Sequence, residues 1–197
     1  MITTHAWKQT YSGRAFEVLD PDPATICIED IAHSLALTCR FGGHCSGHYS
    51  VAEHSIRVMY RTSELLAQRG HVNDILSRRI LLAALLHDAA EAYLCDMSSP
   101  LKHGTAMGHM FAVMETTVAR CIEDRFDIAG LLVPKHETIA QADLELLATE
   151  RRDLMAECCR AWDSMPDPLP GTIVPDVPWQ EVEADYLAVY NSLTGRM

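Results

Sequence analysis

Along most of this chain the apolar positions recur at helical spacing, with polar residues between them. Ile28, Ile31, Ala32, Leu35 and Cys39 fall on one face and predict a helix from about Ile28 to Cys39. Ser50-Val51-Ala52-Glu53 is a Ser-x-x-Glu capping box, so a second helix should start there, run to about Gln68 and stop at Gly70. Asn73 or Asp74 is placed to cap a third helix, the one that carries LLAALLHDAAEAY at residues 81–93. Thr105 to about Phe126 is again amphipathic, and Pro134 suits the first turn of a helix extending to Trp162. A last helix is expected from about Trp179 to Leu193. RFGGHCSGHY and CDMSSPLKHG break the pattern and read as loops, and the first 25 residues read as a loop or short hairpin. SMPDPLPGTIVPDVP, about 164–178, holds five prolines and reads as an extended arm. No segment alternates at period two for long, and no internal repeat is visible. The expected fold is all-α: one compact single-domain helical bundle over residues 1–197, with its core in about 25–160.

Composition narrows the function classes. The net charge is −11 with no basic cluster, which argues against a nucleic-acid surface. No apolar run approaches the roughly twenty residues that a membrane-spanning helix needs, and MITTHAWKQTYSG lacks a basic-then-apolar leader, so the expected location is cytoplasmic. The seven cysteines are odd in number and form no CxxC, which favours reduced thiols over a disulfide framework or zinc ribbon.

The candidate chemistry lies at residues 87–91. Ile80 to Leu86 is an unbroken apolar run, and His87, Asp88 and Glu91 follow it directly. A buried carboxylate without a partner costs on the order of several kcal/mol; a divalent cation turns it into a satisfied ligand. On this helix His87 and Asp88 are expected to point about 100° apart, and His87 and Glu91, at i and i+4, to share a face. His54 lies in the first turn of the capped helix, and Asp143 lies inside IAQADLELLATE, where a helix-disfavouring residue wants a reason. Singly, these residues have plainer readings: a core histidine, a cap, a surface aspartate. Together His54, His87, Asp88 and Asp143 make a two-nitrogen, two-oxygen set suited to one divalent ion with positions left for water and substrate.

These motifs carry a resemblance. YSVAEHS, LLHDAAEAYLCDMSSPLK and QAD, over about residues 25–160, resemble the HD-domain metal-dependent phosphohydrolases, and within them the 5′-deoxyribonucleotidase-like branch, whose neighbours include phage-type dATP triphosphohydrolases. The resemblance implies that His54, His87, Asp88 and Asp143 hold one divalent metal ion (Co, Mn, Zn, Mg, Fe or Ni). It implies that Glu91 orients or deprotonates the attacking water, and that Asp96 contacts the sugar and helps to set the preference for deoxyribose. Arg40 matches a phosphate-binding arginine. Phe41 stands where the nucleotidases often have Trp, and Lys102 is a further candidate for the phosphate. The expected function is removal of phosphate from deoxynucleoside 5′-monophosphates. The alternatives are a triphosphohydrolase acting on dNTPs and a non-catalytic nucleotide-binding module. The expected partner is a small-molecule deoxynucleotide, with no nucleic acid and no membrane, and family habit and Met-rich helix faces suggest a homo-oligomer. His33 reads as a packed residue, and His44 and His48 as loop residues near the entrance. Met107, Met110 and Met114 read as core or subunit contacts, and Tyr93 and Trp162 as packing residues.

Overall fold

The computed structural model describes residues 6–71, 74–162 and 164–195. The chain opens on a short antiparallel hairpin, β1 (Trp7–Gln9) and β2 (Ala15–Glu17), with Trp7 opposite Glu17. Phe16 is the inward-facing residue of β2; it is fully buried and stacks on Tyr93 at 4.2 Å. The rest of the regular structure is helical: α1 (Ile28–Leu37), α2 (Val51–Gln68), α3 (Ile75–Leu85), α4 (Glu91–Leu94), α5 (Ser99–Gly104), α6 (Ala106–Phe126), α7 (Glu137–Leu154) and α8 (Trp179–Thr194), joined in places by short 3-10 turns. The fold is all-α. Helix α2 is its centre and packs against α1, α3, α7 and α8. Ile31, Leu35, Val58, Leu85, Ile122 and Ile139 are fully buried in the core, each on the apolar stripe of its own helix. No helix among the described residues is long and apolar enough to cross a membrane.

The Ser50 and Asp74 caps act where the sequence placed them, and the structure adds Thr105. Ser50 accepts the Glu53 N–H at 3.1 Å, Asp74 the Ser77 N–H at 2.6 Å and Thr105 the Gly108 N–H at 3.0 Å. Asn73, the other candidate cap for α3, lies outside the described residues.

Several boundaries differ from the sequence reading. Helix α1 ends at Leu37 rather than Cys39, because Thr38 is extended and Cys39 pairs with Ser50 in an isolated bridge. Pro134 stands outside α7: the chain turns between the bridged residues Leu132 and Lys135, and His136 caps the helix. That helix stops at Leu154, where Met155 turns extended, well short of Trp162. CDMSSPLKHG is not wholly loop, since α5 forms within it with Pro100 in its first turn, a position that needs no N–H. Met107 and Met110 are exposed on α6 and so are not core, while Met114 is half-buried. His33 is packed as expected, stacked on Tyr11 at 3.6 Å and 3.2 Å from Glu183.

Candidate active site

The largest departure from the sequence reading builds the site. LLAALLHDAAEAY is not one helix: α3 stops at Leu85 and α4 begins at Glu91. Between them the Ala89 N–H donates to the Leu86 carbonyl and the Glu91 N–H to the Asp88 carbonyl, each at 3.0 Å. These three-residue steps wind the chain more tightly than an α-helix. His87 and Asp88 therefore do not splay as they would on a continuous helix, and His87 Nε2 lies 3.2 Å from Asp88 Oδ2. The break leaves the Leu85 carbonyl without a helical donor, and the Tyr186 hydroxyl of α8 supplies one at 2.7 Å.

Three elements aim at this turn. His54, in the first turn of α2, places Nε2 3.7 Å from Asp88 Oδ2 and 3.2 Å from Asp143 Oδ1 on α7. The ligand atoms of His54, His87 and Asp143 lie within 4.8 Å of one another, and Asp88 flanks them. Both imidazoles have a defined tautomer. His54 Nδ1 is 2.5 Å from Glu150 Oε1 and His87 Nδ1 is 2.9 Å from the Ala84 carbonyl oxygen. A carboxylate and a carbonyl can only accept, so each Nδ1 carries the proton and each neutral ring keeps its lone pair on Nε2. Both Nε2 atoms are buried and make no hydrogen bond. Two buried imidazole lone pairs facing two carboxylates fit a divalent cation and waste hydrogen-bonding capacity otherwise.

Electrostatics agree with that fit. Burial acts to raise the Asp88 carboxyl, but the neighbouring His87 and Lys135 outweigh it and hold Asp88 below the usual carboxylate range. Burial acts on Asp143 in the same sense, and the nearby His54 and Lys135 overcome it. Both groups are thus carboxylates, ready to ligate.

Around this centre lie the other residues singled out in the sequence. Glu91, the first residue of α4, is buried, and its Oε2 has no hydrogen-bond partner. Burial first, then the charges of Asp88 and Asp96, push its carboxyl up to about 9, with Lys102 and Arg40 opposing. Lys102 of α5 lies 3.7 Å from Glu91 Oε1 and 2.8 Å from Glu115. Arg40 Nη1 is 3.6 Å from Asp88 Oδ2, and its guanidinium lies over the Phe41 ring at 5.4 Å. Phe41 is half-buried at a left-handed φ of 56°. Asp96 is half-buried beyond α4. His44 is exposed, and the His48 backbone N–H is tied to Asp176 of the Pro-rich arm at 2.7 Å, so neither joins the cluster.

Two residues at the site escaped the sequence reading. Lys135, in the turn before α7, donates to Asp143 Oδ2 at 2.8 Å; a lysine in a short loop gives no sequence cue to this. Glu150 is fully buried and takes bonds from His54, Tyr49 and Arg40. Here a cue existed: Asp143, Leu146 and Glu150 stand at i, i+3 and i+7, the face of α7 that turns inward.

A family model described as 5′-deoxynucleotidase YfbR-like matches residues 33–128, which hold His54, the His87-Asp88 turn, Glu91 and Lys102. An uncharacterized protein of Rhodobacter capsulatus is 40% identical over 141 residues, covering 70% of this chain and 67% of the relative. The uncharacterized protein YfdR of Escherichia coli K12 is 34% identical over 146 residues, covering 74% of this chain and 71% of the relative. With the all-α fold and the His-Asp cluster already in place, these matches establish that the chain belongs to the YfbR-like 5′-deoxynucleotidase family of the HD-domain superfamily.

Proposed function

We propose that this protein is a divalent-metal-dependent phosphohydrolase that removes phosphate from deoxynucleoside 5′-monophosphates in the cytoplasm. The observation that carries the reading is the meeting of two buried, unpartnered imidazole Nε2 atoms with two carboxylates, one of which, Asp88, acts by its charge on the buried Glu91. His54, His87, Asp88 and Asp143 would hold the ion. A divalent ion bound there supplies positive charge against the phosphoryl group and acidifies a water. Positive charge beside Asp88 also offsets one of the influences that raise Glu91, which favours the carboxylate form. Glu91 Oε2, buried and without a partner, would take the proton of the attacking water. Arg40 Nη1, on the site side, binds a phosphate oxygen, and Asp96 and Phe41 meet the sugar and base. The water's oxygen bonds to phosphorus as the bond to the 5′ oxygen breaks and that oxygen takes up a proton from solvent, giving a deoxynucleoside and inorganic phosphate.

The charge pattern favours one phosphate over three. Arg40, Lys102 and Lys135 each already face a carboxylate, Glu150, Glu115 and Asp143 respectively. A triphosphate carries several more negative charges and calls for cations with fewer such partners. The deciding experiment is product identity. The metal-loaded protein is incubated with dAMP and with dATP, and the products are resolved by ion exchange. Phosphate from dAMP with dATP left intact is expected. Intact triphosphate released from dATP would make it a triphosphohydrolase, and no turnover of either nucleotide by metal-loaded protein would make it a binding module.

A further inference from the structure

We propose that Glu150 is a positioning residue that couples the metal cluster to the phosphate-binding arm, so that one buried carboxylate sets the affinity for both. The inference rests on the reading of the site given above and concerns a residue that reading leaves unused. Glu150 is fully buried near the C-terminal end of α7, where a carboxylate is tolerated only when its oxygens are satisfied. They are satisfied from two sides. Oε1 accepts from His54 Nδ1 at 2.5 Å and from the Tyr49 hydroxyl at 2.9 Å. Oε2 faces Arg40, with Nε at 3.2 Å and Nη2 at 3.1 Å.

Each side has a consequence at the centre. On the His54 side, the carboxylate fixes the tautomer, aims Nε2 between Asp88 and Asp143, and makes the ring a stronger donor to a cation. On the Arg40 side, the guanidinium is a rigid planar fork, so holding Nε and Nη2 fixes where Nη1 points. Nη1 points to the cluster, 3.6 Å from Asp88 Oδ2. The metal ligand and the phosphate arm thus hang from the two oxygens of one group. A glutamine cannot replace it: of its two terminal atoms one accepts and one donates. Either His54 and Tyr49, or Arg40, would then meet an N–H instead of an oxygen. Glu150→Gln keeps the shape and must break one of the two sides, while the lost charge weakens the other.

The test uses Co²⁺ and inorganic phosphate as probes on the full chain. Co²⁺ affinity is measured by calorimetry, then phosphate affinity at saturating Co²⁺, so that loss of metal does not pass for loss of phosphate. Glu150→Gln is expected to weaken Co²⁺ by about 10- to 100-fold and to weaken phosphate as well, with KM for dAMP rising in parallel. Glu150→Asp keeps the charge but withdraws it by one methylene; it should fall between wild type and the Gln variant in both constants, and it serves if the Gln variant does not fold. A folded Glu150→Gln or Glu150→Asp protein with both constants at wild-type values overturns the proposal. So does a loss confined to one probe, which would show two independent contacts in place of a coupling. If the wild type binds Co²⁺ and phosphate yet hydrolyses no nucleotide, the functional reading fails, and the two binding constants still judge Glu150.

Discussion

Glu91 is the residue on which the proposed chemistry turns. It sits in the first position of α4, with one oxygen 3.7 Å from Lys102 and the other without a partner. An unpartnered carboxyl oxygen in a buried place is costly to maintain, and proton transfer to it in the transition state is the use that would justify it. Glu91→Gln is expected to lower kcat by about 10²- to 10⁴-fold while leaving metal content unchanged, measured by turnover and by elemental analysis of the same preparation. Loss of metal together with activity would instead mark Glu91 as a ligand. His87 has the opposite signature, because its Nε2 faces the cluster directly. His87→Ala should lose the metal and the activity together.

At the level of elements, the site depends on where helices start and stop. Helix α2 delivers His54 in its first turn, so its N-cap is also the support of a candidate ligand. Ser50→Ala removes the acceptor for the Glu53 N–H and is expected to cost about 1 kcal/mol in a denaturant melt. The other critical end is that of α3. Its Leu85 carbonyl is buried and bonded by Tyr186 from α8, which fixes the chain just before His87 turns out of the helix. Tyr186→Phe leaves that carbonyl unpaired and is expected to cost about 1–3 kcal/mol. The loss should appear in the melting curve, and hydrogen exchange should quicken in residues 85–90 before the rest of α3.

For the whole molecule, metal and folding are linked. The proposed ligands come from α2, the turn after α3, and α7, which meet only in the folded chain. An ion bound by all three stabilises the native state by mass action: at a free concentration one hundred times its dissociation constant, about 2.7 kcal/mol. For a protein of this size that raises Tm by roughly 5–10 °C. Chelation should reverse the rise, and His87→Ala should show none of it, as calorimetric scans with and without metal can check. The rise should also shrink at acid pH, because each Nε2 must be unprotonated to bind.

Much of this was legible before any coordinates. The period of the apolar residues gave the helical class, and the local chemistry of Ser50 and Asp74 gave two helix starts, because capping acts over three residues and is written in adjacent positions. The types of the cluster residues were legible too, since an HD pair after an apolar run is a local anomaly. What the period could not show was that the run breaks. Leu86 to Ala90 has no glycine or proline to break a helix, yet it forms a tight turn, held by packing and by a hydroxyl from Tyr186, 101 residues away from Leu85. Glu150 and Lys135 were missed because their roles are contacts through space. Glu150 meets His54 across 96 residues and Arg40 across 110, separations that no local pattern encodes. The sequence by itself determined which side chains were available and which helices would carry them, because propensity, capping and periodicity are short-range. Only the tertiary structure decided which of those side chains share a buried centre, because burial removes the water that would otherwise screen them and makes each charge answer to its neighbours in space.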